Sequence, residues 1–394
     1  MRLLLFNLAT DVDDPILGFT AGWIRAVALR MESVHVLTMR TGKKMDMPGN
    51  VRVYSAGKEK GYGRPRRALE FYRQLSRILR EQHIDVCFSH MMPLFSVMAA
   101  PLLKPKKIPI VTWYVHPRAS KILKLAQRVS DRMITSVRMS YPYSTDKLAV
   151  VGHGIDTELF APSSTALTEE PALVLCVGRL SPVKDHATLL HAARLLRQRT
   201  KRTFRVVCVG GPATALDHDY ARSLAERARQ LGLEDVVDFA APVTINELPN
   251  WYRRCVVHVN LTGAGSADKV GWEAMSCGVP CIVANEGFSE TLAEYSDMLS
   301  YRHGDAHALA DRLAAILALP QRERERIGLF LRHQVVRLHG LTRLADHLVD
   351  EFSAVLNARR RNGDGLGGRV PQSTVAVPPF ASKRRARADR GNQR

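Results

Sequence analysis

Arg179 and Lys184 stand five positions apart in "VGRLSPVKDHATLLHAARLL" (177–196), where an apolar run ends at Gly178 and an amphipathic stretch begins. A guanidinium is a planar fork and an ammonium a point charge. Two such cations around a helix start, with its unpaired N–H groups and positive dipole end, suit a diphosphate. A solvated pair of cations fits the same spacing. A second constellation is "GAGSADKVGWEAMSCGVPCIVA" (263–284). Its Gly and Ser residues let backbone N–H groups approach a ligand, Asp268, Lys269 and Val270 open a short helix, and Glu273 shares a face with Lys269. That is the physics of a phosphate or sugar cradle, and equally of an ordinary loop before a helix. "VGGPAT" (209–214) follows a strand but lacks the third glycine of a dinucleotide fingerprint.

Such residues work only if strands and helices hold their loops together. Apolar runs predict strands at 2–8, 34–39, 51–55, 84–89, 108–114, 132–136 and 148–151, then at 172–178, 204–209, 236–239, 256–260 and 280–284. Helices are expected at 66–82, with Leu69, Tyr72, Leu75 and Leu79 on the inner face, and at 184–199, 217–231, 268–277, 305–318 and 341–357. This alternation predicts an α/β chain of two facing, doubly wound, Rossmann-like domains, with the ligand in the cleft between their strand ends. The expected limits are 1–150 for the first domain, 151–170 for a linker and 171–340 for the second domain. A helix at 341–357 has the option of packing back on the first domain. "ARRRNGDGLGGRVPQSTVAVPPFASKRRARADRGNQR" (358–394), with no period, reads as a disordered basic tail.

The 394 residues suffice for two cores, and 46% hydrophobic content is that of a globular protein. The opening "MRLLLFNLATDVDD" reaches acidic residues too soon for a secretory signal and reads as a buried strand. "MMPLFSVMAAPLL" (91–103) is too short to span a bilayer; a core helix and an interfacial segment both fit it. Six cysteines are scattered through apolar runs with no Cys-x-x-Cys spacing, which predicts buried thiols of a reducing cytoplasm and no metal knuckle. The net charge of +19 divides into +14 over 1–150, −3 over 151–357 and +8 over 358–394. One basic face turned toward something anionic accounts for that asymmetry.

The order "GHGIDTELFAP", "VGRLSPVKDHATLL", "VGGP…YARSLAERARQLGLEDVVDF", "LPNWYRRCVVHVN" and "EAMSCGVPCIVA" resembles family 4 of the retaining glycosyltransferases. The resemblance covers 150–357 by motif and 1–150 by pattern. It implies the GT-B architecture and a nucleotide-sugar donor. It assigns Arg179 and Lys184 to the donor diphosphate, Gly178 to the turn beside it, and Glu273 to the ribose hydroxyls. His116, in "VTWYVHPRAS", resembles a histidine that contacts the donor sugar, and Gly18 a glycine near the donor phosphate and acceptor. The family's first glutamate falls at Gly265, so this chain departs from the pattern. It resembles instead a subgroup with Gly-Ser-x-Asp-Lys-Val, in which Asp268, Lys269 and Val270 take over sugar contacts. His153, in "GHGID", reads as a linker residue.

The resemblance further implies reaction on one face of the sugar, with no metal and no cofactor, so positioning and charge stabilisation fall to Arg179 and Lys184. The acceptor is expected to be lipid-linked or a saccharide, with the enzyme peripheral at the cytoplasmic side of an anionic membrane. Two rivals stand beside this reading. One is another GT-B enzyme, such as a nucleotide-sugar epimerase. The other is a basic scaffold or nucleic-acid binder, although basic–aromatic interleaving is absent and no specific nucleic acid is expected.

Overall fold

The structure, a computed structural model, describes residues 1–14, 17–43, 47–163, 170–263 and 268–363. Two parallel sheets organise them. The first comprises β1 (Arg2–Thr10), β2 (Ser33–Thr41), β3 (Val51–Ser55), β4 (Val86–His90), β5 (Ile110–Trp113), β6 (Arg132–Thr135) and β7 (Leu148–Val150), in the order β3-β2-β1-β4-β5-β6-β7. The second comprises β8 (Ala172–Val177), β9 (Phe204–Val209), β10 (Val237–Ala240), β11 (Val257–Asn260) and β12 (Cys281–Val283), in the order β10-β9-β8-β11-β12. Central strands covered on both faces must be apolar throughout. Leu3 to Phe6 in β1 and Ala172 to Val177 in β8 are accordingly all buried. In each sheet the chain order reverses beside the first strand, between β1 and β4 and between β8 and β11. The loops at the carboxyl ends there diverge and leave a crevice.

The helices of the first half are α1 (Phe19–Ala28), α2 (Arg64–Glu81), α3 (Pro93–Leu103) and α4 (Lys121–Val129). Those of the second are α5 (His186–Arg199), α6 (Ala215–Gln230), α7 (Leu248–Arg254), α8 (Lys269–Ser276), the four-residue α9 (Ser289–Leu292) and α10 (Ser296–Leu299), α11 (Ala306–Ala318), α12 (Gln321–His339) and α13 (Leu341–Gly363). None of the described helices is long and apolar enough to cross a membrane.

Three expectations need correction. The inner face of α2 is Phe71, Gln74, Leu75 and Ile78, and Leu69 is 71% exposed. Both stripes have helical period, but this one buries Phe71 against Phe6 and Phe95, at ring distances of 5.4 and 4.7 Å. Aromatic burial is the larger gain. The helices α1, α4, α7 and α12 were not among those expected; in α12 the first turn, Gln-Arg-Glu-Arg, hides the apolar period of Ile327, Leu331 and Val335. The third correction concerns the end of α13, which runs to Gly363 rather than 357. Arg359 in the extra turn donates to Asp131 at 2.7 Å, tying it to the first domain. Residues 364–394 of the expected tail lie outside the described residues.

Most of α13 packs on the first sheet. Leu344, Ala345, Leu348, Phe352 and Val355 join the core formed by Leu3, Trp23, Ile24 and Trp113. Burying one side chain the size of Phe352 stabilises by about 1.5–3 kcal/mol. The Arg132 guanidinium donates to Glu351 at 2.6 Å in the same interface, and both side chains are buried. The chain thus crosses between the halves twice, and the crossings are joined. Ile155 N–H donates to His339 O at 2.7 Å, and Leu341 N–H donates to Ile155 O at 2.8 Å. The His153 ring packs at a tilt against Trp272, 4.6 Å between centres, which seats the first crossing against α8.

Candidate functional site

Strand β8 ends in a turn at Gly178, and β9 ends at Gly210, with φ of +150° and +151°. A Cβ on Gly210 would lie 1.9 Å from the Gly178 carbonyl oxygen, so only glycine lets the two turns pass. Arg179 leaves the first turn with its side chain 47% exposed and its guanidinium 3.8 Å from the Asp217 carboxylate. Asp217 is held in place by a reciprocal cap with Thr214 at the start of α6. Lys184 closes the loop. Its ammonium donates to Thr262 Oγ1 at 3.3 Å and forms an ion pair with Asp268, the residue that opens α8. Thr262 also donates to Asp268. The loop before α5 and the start of α8 are therefore one charged cluster, into which Arg179 does not reach directly.

Within α8 the side chains divide. Val270 is half-buried and packs on the second core. Lys269 is half-buried overall, but its ammonium is covered and has no hydrogen-bond partner among the described residues. It lies 3.2 Å from the centre of the Phe19 ring and 4.9 Å from that of Trp23, both in α1. Glu273, one turn on, is 7% exposed and accepts from the Tyr252 hydroxyl at 3.2 Å. Desolvation raises the Glu273 carboxyl above its ordinary range and lowers the Lys269 ammonium below its own, and their mutual attraction opposes both shifts.

A cavity of about 340 Å³ lies between the halves. Gly18, Phe19 and Trp23 line it from the first domain, Gly154 to Asp156 from the crossing, and Lys269 and Glu273 from the second domain. At Gly18 a Cβ would meet the carbonyl oxygens of Val12 and Asp14 at 2.8 Å, so the close turn at the mouth of α1 needs glycine. A larger cavity, of about 540 Å³, is walled by Arg205, Asp238, Trp251 and Arg254. It includes none of Gly178, Arg179, Lys184 or Glu273, whereas the smaller cavity includes Glu273, though not the other three. His116 stands apart from both cavities. It is exposed beyond β5, with its Nδ1 accepting from the Arg118 N–H at 3.0 Å. Gly265 and the rest of 264–267 lie outside the described residues.

Sequence reasoning missed Phe19, Trp23 and His90. The His90 ring packs on Trp23 at 4.8 Å, and desolvation, with Lys269 nearby, pushes it down to about 3. The aromatic spacing in "GFTAGWI" (18–24) was visible, but nothing in it points to a lysine 250 residues away. Below the glycine turns lies a group that spacing rules also passed over. Cys176, His186 and Cys208 bring their ligand atoms within 4.8 Å of one another, and all three are buried.

Comparison with known proteins bears on this geometry. Residues 24–159 match the family model described as Glycosyltransferase Family 4, and residues 159–330 the one described as Glycosyl transferases group 1. The D-inositol 3-phosphate glycosyltransferase of Frankia alni is 35% identical over 192 residues, 46% of this chain and 47% of that protein. The match thus spans about half the length of that curated relative. Sucrose-phosphate synthase from Thermosynechococcus elongatus superposes with a TM-score of 0.75 at 18% identity, over 91% of this chain and 100% of that one. Anabaena HepE in complex with UDP superposes with a TM-score of 0.72 at 16% identity, over 90% and 100%. The fold is the two-domain GT-B arrangement.

Proposed function

Because residues 24–159 and 159–330 match two glycosyltransferase family models in succession, we propose that the chain transfers a sugar from a nucleotide-diphosphate donor to an acceptor held by the first domain. The observation that carries this reading is Glu273 in the wall of the inter-domain cavity, on the helix whose first residue is preceded by Asp268, the ion-pair partner of Lys184. Arg179 is free to swing toward a diphosphate from its weak 3.8 Å pairing with Asp217. Lys184 exchanges Asp268 for phosphate oxygens, so the leaving diphosphate meets two cations at the moment its charge grows. Glu273, as a carboxylate, accepts the two ribose hydroxyls. Gly18, whose close turn admits no Cβ, lines the cavity in which the donor and acceptor would meet.

The reaction retains the donor's anomeric configuration and uses no metal at the reacting atoms and no cofactor besides the donor. The acceptor is lipid-linked or a saccharide, and the enzyme sits on an anionic membrane surface at the cytoplasmic side. Support for the membrane comes from α4. Leu123 and Ala126 face inward there, while Ile122 and Leu125, 48% and 43% exposed, stand among Lys121, Lys124 and Arg128.

The test is calorimetric screening of UDP- and GDP-sugars, followed by transfer assays. The acceptor panel includes inositol phosphate, after the name of the Frankia relative, and lipid-linked sugars. Glu273→Ala should weaken the best donor at least tenfold with its fold intact. Proton NMR of fresh product should show retention, and transfer should survive EDTA. No binding of any nucleotide sugar, or inversion of the product, would remove the proposal.

A further inference from the structure

Strands β8 and β9 pair in parallel with Cys176 directly opposite Cys208, so their thiols point to the same side of the sheet. That side is covered by the first residue of α5, His186. The three residues are 4%, 1% and 1% exposed, and their two sulfurs and ring nitrogen all lie within 4.8 Å of one another. Neither ring nitrogen of His186 makes a hydrogen bond of good geometry to a described residue, and the group it interacts with is the Cys176 thiol. A wholly buried imidazole so weakly satisfied is costly, and among the described residues the soft donors grouped with it are the two sulfurs.

We propose that Cys176, Cys208 and His186 supply three ligands to one thiophilic divalent d¹⁰ ion of the zinc class, the fourth tetrahedral position being left to a small exogenous ligand such as water. The dimensions suit it. Sulfurs about 2.3 Å from a tetrahedral ion stand roughly 3.8 Å apart, inside the observed limit. Soft sulfur with imidazole selects this class over magnesium or calcium. Charge argues the same way. Two thiolates and a neutral imidazole cancel a divalent ion, so the filled site buries no net charge. On binding, each thiol releases one proton, and two sulfur–metal bonds and one nitrogen–metal bond form without any change of oxidation state.

The site lies apart from the reacting atoms and does not depend on the glycosyltransferase reading. Cys176 and Cys208 each stand two residues before a glycine turn, Gly178 and Gly210, and His186 stands two residues after Lys184. An ion here would tie together the ends of β8 and β9 and the start of α5. The loop that carries Arg179 and Lys184 would then be fastened at both of its ends.

The experiment uses the full chain, purified under reductant, stripped with a strong chelator and then given Zn²⁺ or Co²⁺. We expect one zinc per chain after desalting, by mass spectrometry of the metal. A sulfur-to-cobalt charge-transfer band should appear, and the melting temperature should rise by about 5 °C at a hundredfold excess over Kd. Cys208→Ser and His186→Gln should lose the band. Cys281→Ser, at a buried thiol 3.2 Å from His258 and outside the cluster, should keep it. Absence of stoichiometric zinc and of the charge-transfer band in the unmodified protein would overturn the proposal, whatever the variants do. So would a band that survives both Cys208→Ser and His186→Gln.

Discussion

The Lys269 ammonium stands 3.2 Å from the centre of the Phe19 ring, so a helix of the second domain grips the first domain through a cation on an aromatic face. Partly desolvated pairs of this kind are worth about 1–2 kcal/mol. Phe19→Leu should therefore lower stability by about that amount, while Lys269→Met, which removes a covered charge and keeps the stem, should cost less. The double variant tests the link. A coupling energy below roughly 0.3 kcal/mol in the thermodynamic cycle would show that the two residues do not act together.

Arg179→Ala and Lys184→Ala should each reduce turnover on the order of a hundredfold with little change in melting temperature, since charge on the departing diphosphate peaks in the transition state. Asp268→Asn probes the same loop from the other side. Freeing Lys184 from its ion pair should raise affinity for the bare nucleotide diphosphate, measured calorimetrically. Equal turnover in the unmodified protein and both cation variants would place the phosphates elsewhere.

Three buried histidines make the fold sensitive to acid. Desolvation lowers His90, His258 and His339 each to about 3, far below the value near 6.5 of an unfolded chain. A depressed histidine contributes stability that is present above the unfolded value and lost as pH falls toward the folded one. Each contributes a loss of up to about 1.4 kcal/mol per pH unit between 6.5 and 3. Melting temperature should be level from pH 8 to 7 and fall steeply from 6 to 5. His258→Asn should flatten that descent, and a level profile down to pH 5 would contradict the burial argument.

Membrane docking is tested with vesicles. The chain should sediment with anionic but not neutral liposomes and be released by high salt, because screening acts over about 8 Å at physiological strength. Ile122→Glu with Leu125→Glu should reduce binding several-fold without affecting transfer to a water-soluble acceptor. Removing 364–394 should weaken binding as well, each basic residue near the surface being worth about 1 kcal/mol. Equal binding to neutral vesicles would point to apolar insertion rather than charge.

The sheets were legible because parallel strands covered on both faces appear as short apolar runs closed by glycine or proline. "ALVLCVG" and "RVVCVGG" are such runs, and they gave β8 and β9 almost to the residue. Helix faces were less legible. In α2 two stripes share the period, and the choice between them depends on Phe6 and Phe95, which arrive from elsewhere in the chain. The loop with Arg179 and Lys184 and the helix with Glu273 could be located from local spacing. The partners of Lys269 could not, and neither could the meeting of Cys176 with Cys208, because strand order rather than sequence distance brings them together.

The packing of α13 on the first sheet also sets an order of events at the ribosome. Leu348 and Phe352 belong to the same core as Leu3 and Trp23, so the segment made first has an incomplete interior until the segment made last emerges. At 5–20 residues per second, about 200 residues separate β7 from Phe352, a wait of roughly 10 to 40 s. The second sheet, whose strands all lie between Ala172 and Val283, waits only for Leu331 and Val335 of α12 to close its core. Synthesis runs from the amino end, yet the core of the carboxyl-side domain is the one able to close first.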